Sequence, residues 1–254
     1  MPARDVLIEG TWNARVFGDE HPWLLRSATL DGLTDRGRTT LDRLGVRAVI
    51  DLREPGERRV PGHNLPTMPV PVFGRGGGGD PRVTMEVAYR LWLEAHGVAM
   101  VQAVRLIAQA DGPVAVHCAI GKDRTGLVVA LALLAAGYSR DVIVGDYAAS
   151  ASRQPSFLRR TTLERMAWEG IEAETPAGRE YLRRSLDSPG EVISGALDYL
   201  EINGGWWAFL EARGLTETEM LALRAKAGLL PVAVPYEPLT AVMYPECQVA
   251  VAAA

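Results

Sequence analysis

Cysteine is nearly absent: the 254-residue chain contains two, Cys118 and Cys247. That is too few for a disulfide framework or a cysteine-rich zinc site. No run of about 18 apolar residues stands out, so no membrane span is expected. The opening MPARDVLIEG lacks the basic stretch and apolar core of a secretory signal. Positive charge is not in excess either, and a net charge of −4 argues against a general nucleic-acid binder. There is no internal repeat, and low complexity is confined to the four glycines at 76–79. What is present is 48% hydrophobic residues, enough to bury the core of one domain, with or without an appendage. A cytoplasmic globular protein is expected, with export without a signal left open.

Short apolar runs predict strands at VLIEG from residue 6, WLLRSA from 23, RAVIDL from 47, PVPVF from 69 and VAVHC from 114. Helical patterns alternate with them, which predicts an α/β fold: a central, largely parallel sheet flanked by helices. The first helix is expected over 34–44, capped by Thr34 and closed by Gly45. A longer one is expected over 84–109, interrupted at Gly97. Between these, FGRGGGGDPR at 73–82 reads as a flexible loop. LVVALALLAAG from 127 is apolar on every side, the mark of a helix buried in the middle of a fold. From 140 the pattern is helical, with segments expected near 140–151, 155–168, 177–185, 189–203, 204–213 and 217–228. Residues 1–230 are taken as one domain with a helical C-terminal part. The tail 231–254 is either an extended strip or disordered.

The chemistry concentrates in VHCAIGKDRTG, residues 116–126. A strand entering a tight loop and then a helix aims backbone N–H groups and the helix N-terminus at one point, which makes an anion site. Gly121 allows close backbone approach, and Gly126 allows tight packing where the helix begins. Arg124 offers a planar two-pronged fork to two oxygens of a phosphate. A free thiol ionises near a pKa of about 8.5, and such positive surroundings lower that value. Cys118 beneath a bound phosphate is therefore a nucleophile in position.

Cys118-Ala119-Ile120-Gly121-Lys122-Asp123-Arg124 followed by Thr125 resembles the C-x5-R-[ST] loop of the protein tyrosine phosphatase superfamily. The longer HCxxGKDRTG form is similar to an atypical bacterial and fungal branch. The agreement extends to Asp51, Leu52, Arg53 and Glu57 in a D-L-R-x-x-x-E element, to GDYAAS after the loop, and to GGWWAFLEARGLTETEMLALRAKAGL. It spans about residues 12–230. One departure is visible: Asn13-Ala-Arg-Val-Phe-Gly18 stands where the branch usually has N-F-R-D-[LV]-G-G.

The resemblance implies a cysteine-dependent phosphatase acting on a phosphorylated protein or phosphoinositide, with no metal or organic cofactor. Cys118 is the expected nucleophile and Arg124 the phosphate clamp. The loop residues Ala119, Ile120, Gly121, Lys122 and Thr125 bind substrate, and the Thr125 hydroxyl steadies the departing thiolate. Lys122 adds a second positive charge, as in lipid-directed relatives. His117 shapes the loop without touching substrate, and Asp51 and Arg53, at a strand's C-terminal end, support the pocket. The general acid has more than one candidate. Asp80 lies in the upstream glycine loop, where many relatives carry it, whereas this branch has an aspartate inside the loop itself, which favours Asp123. Asp123 is also simply a good residue for a helix start. In relatives, helices after the loop form a lid, and 152–203 would supply it here. Trp206 and Trp207 read as core aromatics, and Cys247 as an idle tail thiol.

Other functions fit less well. A nucleotide P-loop needs G-x-x-x-x-G-K-[ST], but Val116 replaces its first glycine and Asp123 its hydroxyl residue. A sulfurtransferase loop lacks the His117 prefix and the helical half. The alternative from another class is a pseudophosphatase, a silent module that binds phosphorylated ligands. It should show a damaged nucleophile or arginine, and neither is altered.

Overall fold

The computed structural model describes residues 2–18, 20–73 and 83–229. Among them a mixed, mostly parallel sheet of six strands forms in the order β1-β2-β3-β6-β4-β5. Its strands are β1 Arg4–Asp5, β2 Arg15–Phe17, β3 Leu24–Ser27, β4 Ala48–Asp51, β5 Thr67–Pro69 and β6 Val114–His117. β1, β2 and β3 pair antiparallel; β3, β6, β4 and β5 pair parallel. β6 is buried at every residue, as expected of a central parallel strand covered on both faces.

Period-two alternation sorts the side chains. Leu24, Ile50, Val114 and Val116 face the larger core, built with helices α2 Met85–Gln109, α3 Asp123–Ala136 and those that follow. Leu25, Val49 and Ala115 face the other side, against Leu41 of α1 Asp35–Arg43. Thr34 caps α1, accepting from the Gly37 N–H. α3 is buried without a break from Arg124 to Leu133, so its all-apolar sequence matches its place between the sheet and α2, α4 and α9.

Registers decide where the site lies. Ser27 and Asp51 are both Cα partners of His117, so β3, β4 and β6 end together. The loops leaving them are tied at once: Leu52 N–H donates to the His117 carbonyl at 2.9 Å and Thr29 N–H to the Ala119 carbonyl at 3.1 Å.

Three expectations change. The first strand is Arg4–Asp5, not VLIEG; Leu7 is exposed, Ile8 is buried, and the chain then turns at Gly10, while Arg15–Phe17 supplies an unforeseen strand. In PVPVF the strand is displaced to Thr67–Pro69, and Val70 and Val72 are buried beyond it. Pro66, Pro69 and Pro71 lack the N–H a ladder needs, which suits the edge position of β5. α2 is not interrupted at Gly97. A Cβ there would lie 2.5 Å from Arg213 Nε and 2.8 Å from Phe209 Cζ, so the glycine serves close packing rather than a break. By length and composition α2 is also apolar enough to cross a membrane, but half of that stretch is buried, and the helix packs against α3, α7 and α9.

After α3 come α4 Arg140–Ala148, α5 Ser156–Trp168, α6 Pro176–Leu186, α7 Gly190–Ile202, α8 Trp206–Glu211 and α9 Glu217–Lys226. Within 152–203, α7 belongs to the core, whereas α5 and α6 pack on each other and bury only Met166 and Gly178. Trp206 and Trp207 pack partly buried against the core. The tail, Cys247, Asp80 and most of the glycine loop lie outside the described residues.

Candidate active site

The loop between β6 and α3 curls around Cys118, which is 3% exposed. The Gly121 N–H donates to Cys118 Sγ at 3.2 Å. Gly121 has φ +74°, and a Cβ there would lie 2.2 Å from the Ser27 carbonyl oxygen, so no other residue fits without moving β3 or the loop. Ala119 and Ile120 are half-buried on the outer arc. Thr125 is fully buried, and its Oγ1 has no hydrogen-bond partner in the structure. Gly126 lies in the first turn of α3, beside the Tyr147 ring.

Arg124 is held as a fork. Its Nη1 and Nη2 donate to Glu57 Oε2 and Oε1 at 2.5 and 2.7 Å, and its guanidinium stands 5.1 Å from the Phe73 ring centroid. Burial pulls the Arg124 pKa down, but Glu57 and the Cys118 charge outweigh it and raise the value; Arg124 stays charged. Glu57, in turn, is held below the usual carboxylate range by Arg124 despite its own burial.

Asp51 and Arg53 stand behind this pair rather than in the pocket, both 4% exposed. Arg53 clamps Asp51 through Nε and Nη2, each at 2.9 Å, and reaches Asp31 Oδ1 at 2.9 Å. This anchors the turn that carries Glu57. His117 Nδ1 lies 3.1 Å from the Cys118 carbonyl oxygen and 4.0 Å from Asp51 Oδ1. Burial lowers its pKa more than the nearby carboxylates raise it, so the ring is neutral.

Asp123 opens α3 and looks into a cleft of about 230 Å³ between Phe73, Tyr89 and Trp92 on one side and Arg165, Tyr181 and Arg184 of α5 and α6 on the other. Tyr89 Oη donates to Asp123 Oδ1 at 2.7 Å and lies 2.7 Å from Tyr147 Oη. Burial, then the Asp123 charge, pushes the Tyr89 pKa well up, which keeps the phenol a proton donor. Lys122 is elsewhere occupied. It is 0% exposed, and its ammonium donates to the carbonyls of Arg184 and Asp187 at 2.7 and 2.8 Å, with Asp123 Oδ1 at 3.2 Å. Three N–H donors face three acceptors, so in this arrangement the charge ties the loop to the end of α6 instead of facing the phosphate position.

The sequence matches the tyrosine phosphatase family over residues 9–227. The chain belongs to that family. It is a protein-tyrosine-phosphatase-like phosphoric monoester hydrolase. It is 35% identical over 198 residues to the triple specificity protein phosphatase PtpB of Mycobacterium tuberculosis, covering 60% of this chain and 71% of that one. It is 28% identical over 230 residues to a tyrosine-protein phosphatase of Nostoc commune, covering 80% and 74%. The crystal structure of P. aeruginosa TpbA aligns over 78% of this chain and 95% of its own, with 19% identity and a TM-score of 0.39.

Within this phosphatase, two residues that touch the site escaped sequence reasoning as site residues. Glu57 was visible as the end of the D-L-R-x-x-x-E element, but nothing in the letters ties it to an arginine 67 positions away. Tyr89 sits in an ordinary helical pattern with no signal of its contact with Asp123.

Proposed function

We propose that this phosphatase hydrolyses protein phosphotyrosine through a phosphocysteine intermediate, with phosphoserine, phosphothreonine or phosphoinositides as further substrates. The observation that carries the reading is the buried Cys118 thiol, hydrogen-bonded by the Gly121 N–H in the same loop that presents the Arg124 fork. The aromatic flank of the cleft, Phe73, Tyr89 and Trp92, suits a phenyl ester, and the name of the mycobacterial relative supports a broader range.

In the first step the Cys118 thiolate attacks phosphorus in line, and the phosphorus–oxygen ester bond breaks. Arg124 and the loop amides hold the equatorial oxygens, where charge develops. Asp123 gives its proton to the leaving oxygen; a tyrosine hydroxyl has a pKa of about 10, so an acid is worth having. In the second step Asp123, now a carboxylate, takes a proton from the attacking water, the sulfur–phosphorus bond breaks, and phosphate leaves. The Thr125 hydroxyl, buried and unpartnered, donates to the returning thiolate. Glu57 keeps the Arg124 fork aligned between turnovers, and α5 with α6 forms the wall, or lid, of the cleft.

Phosphate release from phosphotyrosine peptides and a phosphoinositide panel, without added metal, tests this for the wild type and Cys118→Ser. The expected result is turnover in the wild type and only background in Cys118→Ser. A wild type that binds phosphorylated ligands and turns none over would overturn the reading in favour of a silent binding module.

A further inference from the structure

Next to the loop, two guanidiniums share one carboxylate. Arg15 of β2 and Arg26 of β3 are Cα partners across the antiparallel pair and are 1% and 0% exposed. Arg15 Nε donates to Asp146 Oδ1 at 2.7 Å, and its Nη2 donates to the Asp146 carbonyl at 3.0 Å and Ser150 Oγ at 3.1 Å. Arg26 Nη1 pairs with Asp146 Oδ2. Two cations against one anion leave an excess positive charge in the buried interior, where ionic groups are costly and apolar ones often pack as stably. Burial and then the Arg26 charge bring the Arg15 pKa down to about 10. Stability alone does not account for such an arrangement.

The Gly121 carbonyl does. It accepts from Arg26 Nη2 at 2.6 Å and from Asn13 Nδ2 at 2.9 Å. Asn13 is held in the left-handed region, φ 56°, and its Oδ1 accepts from Arg15 Nη1, which turns its amide nitrogen toward the loop. A carbonyl pulled outward by two donors fixes the other end of its peptide. The unit is planar and trans, so the Lys122 N–H points the opposite way, toward the loop's centre. The preceding peptide behaves alike: its carbonyl, on Ile120, lies 3.5 Å from Asn13 Nδ2, and its N–H, on Gly121, reaches Cys118 Sγ.

We infer that Arg26 and Asn13, braced by Arg15 and Asp146, are positioning residues that clamp two successive loop peptides with their N–H groups facing Cys118 and the bound oxyanion. The inference rests on the phosphocysteine reading of the loop. Neither residue touches substrate or the reacting atoms. The charged groups around Cys118 itself are Arg124 and Asp123 from α3, Lys122 just before it, His117 from β6, Asp51 at the end of β4, and Arg53 and Glu57 just beyond that strand.

The test uses the full chain with Arg26→Met, Asn13→Gly and, as a fold-damage control on the opposite sheet face, Leu41→Ala. Two quantities are read: the pH profile of Cys118 alkylation by iodoacetamide, located by peptide mass, and inhibition of p-nitrophenyl phosphate hydrolysis by orthophosphate. In Arg26→Met alkylation on the acid side should slow about tenfold, a displacement of about one pH unit, and the phosphate inhibition constant should rise about tenfold. Asn13→Gly keeps the left-handed backbone and loses the neutral donor to Gly121 together with the Oδ1 acceptor that meets Arg15 Nη1. It should move both quantities the same way by less, and it carries the test if Arg26→Met does not fold. Arg26→Lys should restore part of the loss, and Leu41→Ala should move neither quantity. Wild-type profiles in both clamp variants, or an equal displacement in Leu41→Ala, would overturn the inference while leaving phosphatase turnover intact. A wild type without turnover would instead sink the phosphocysteine reading, and the alkylation profile would still judge the clamp.

Discussion

At the residue scale, Asp123 and Lys122 are neighbours in the chain with opposite surroundings. Asp123 faces the cleft with one oxygen engaged by Tyr89, whereas Lys122 is entirely buried against α6. If Asp123 is the acid, Asp123→Asn should lower kcat by about 10²–10⁴-fold on phosphotyrosine. The loss should shrink on p-nitrophenyl phosphate, whose leaving group needs less protonation. Comparing the two substrates separates the acid from a residue that merely shapes the pocket; equal losses on both would return the role to another carboxylate, Asp80 among them. The C-x5-R-[ST] pattern identifies the nucleophile and clamp by local spacing alone. Lys122 shows the limit of that logic, because spacing places its Cα beside the phosphate and says nothing of where four methylenes carry the charge.

At the scale of elements, α5 and α6 bury little against the rest of the molecule and are joined to the loop through Lys122. Its ammonium satisfies two carbonyls near the end of α6, of Arg184 and Asp187. Lys122→Met leaves those acceptors without a partner, at a cost of about 1–3 kcal/mol for a buried polar group left unmet. Limited proteolysis should then cut within residues 155–187 faster than in the wild type, with α3 and the sheet still protected. An unchanged cleavage rate would mean that α5 and α6 are held by other contacts. The helices themselves follow the sequence pattern, and α1, α2, α6 and α9 each open on a threonine that caps the first turn. α7 has the same helical signature as α5 and α6, and only packing against α2 and α4 assigns it to the core.

For the whole molecule, three buried groups that titrate on the acid side, His117, Asp51 and Asp146, point one way. His117 has a folded pKa below its ordinary 6.5, because burial disfavours the charged ring. Asp51 and Asp146 lie below 3.8; burial pulls each up, but their arginine partners outweigh it. In each case the folded state binds fewer protons than the unfolded chain, so stability rises with pH. The His117 contribution is fully present above about pH 6.5 and is lost as pH falls below it. The carboxylate contributions fade only below about pH 4. Urea midpoints should therefore be level above pH 7 and decline between 6.5 and 4.5, with a smaller decline in His117→Gln. A wild type whose midpoint is flat across that window would refute this assignment.

What the sequence by itself determined is whatever depends on neighbours in the chain. That includes the buried strand β6, the all-apolar α3, the Thr34 cap, and a loop whose glycine, arginine and thiol face one point by their spacing. It also carries the family, since the agreement with known members runs over residues 9–227. Only the tertiary structure decided which distant groups meet that loop. Glu57 reaches Arg124, Tyr89 reaches Asp123, and Arg26 with Asn13 reaches Gly121 because β3, β4 and β6 end in register and α2 packs against α3. A polar side chain on a strand or helix looks the same in the letters whether it ends in water or on a carbonyl many tens of residues away. Register and packing make that choice, and neither is a local property of the chain.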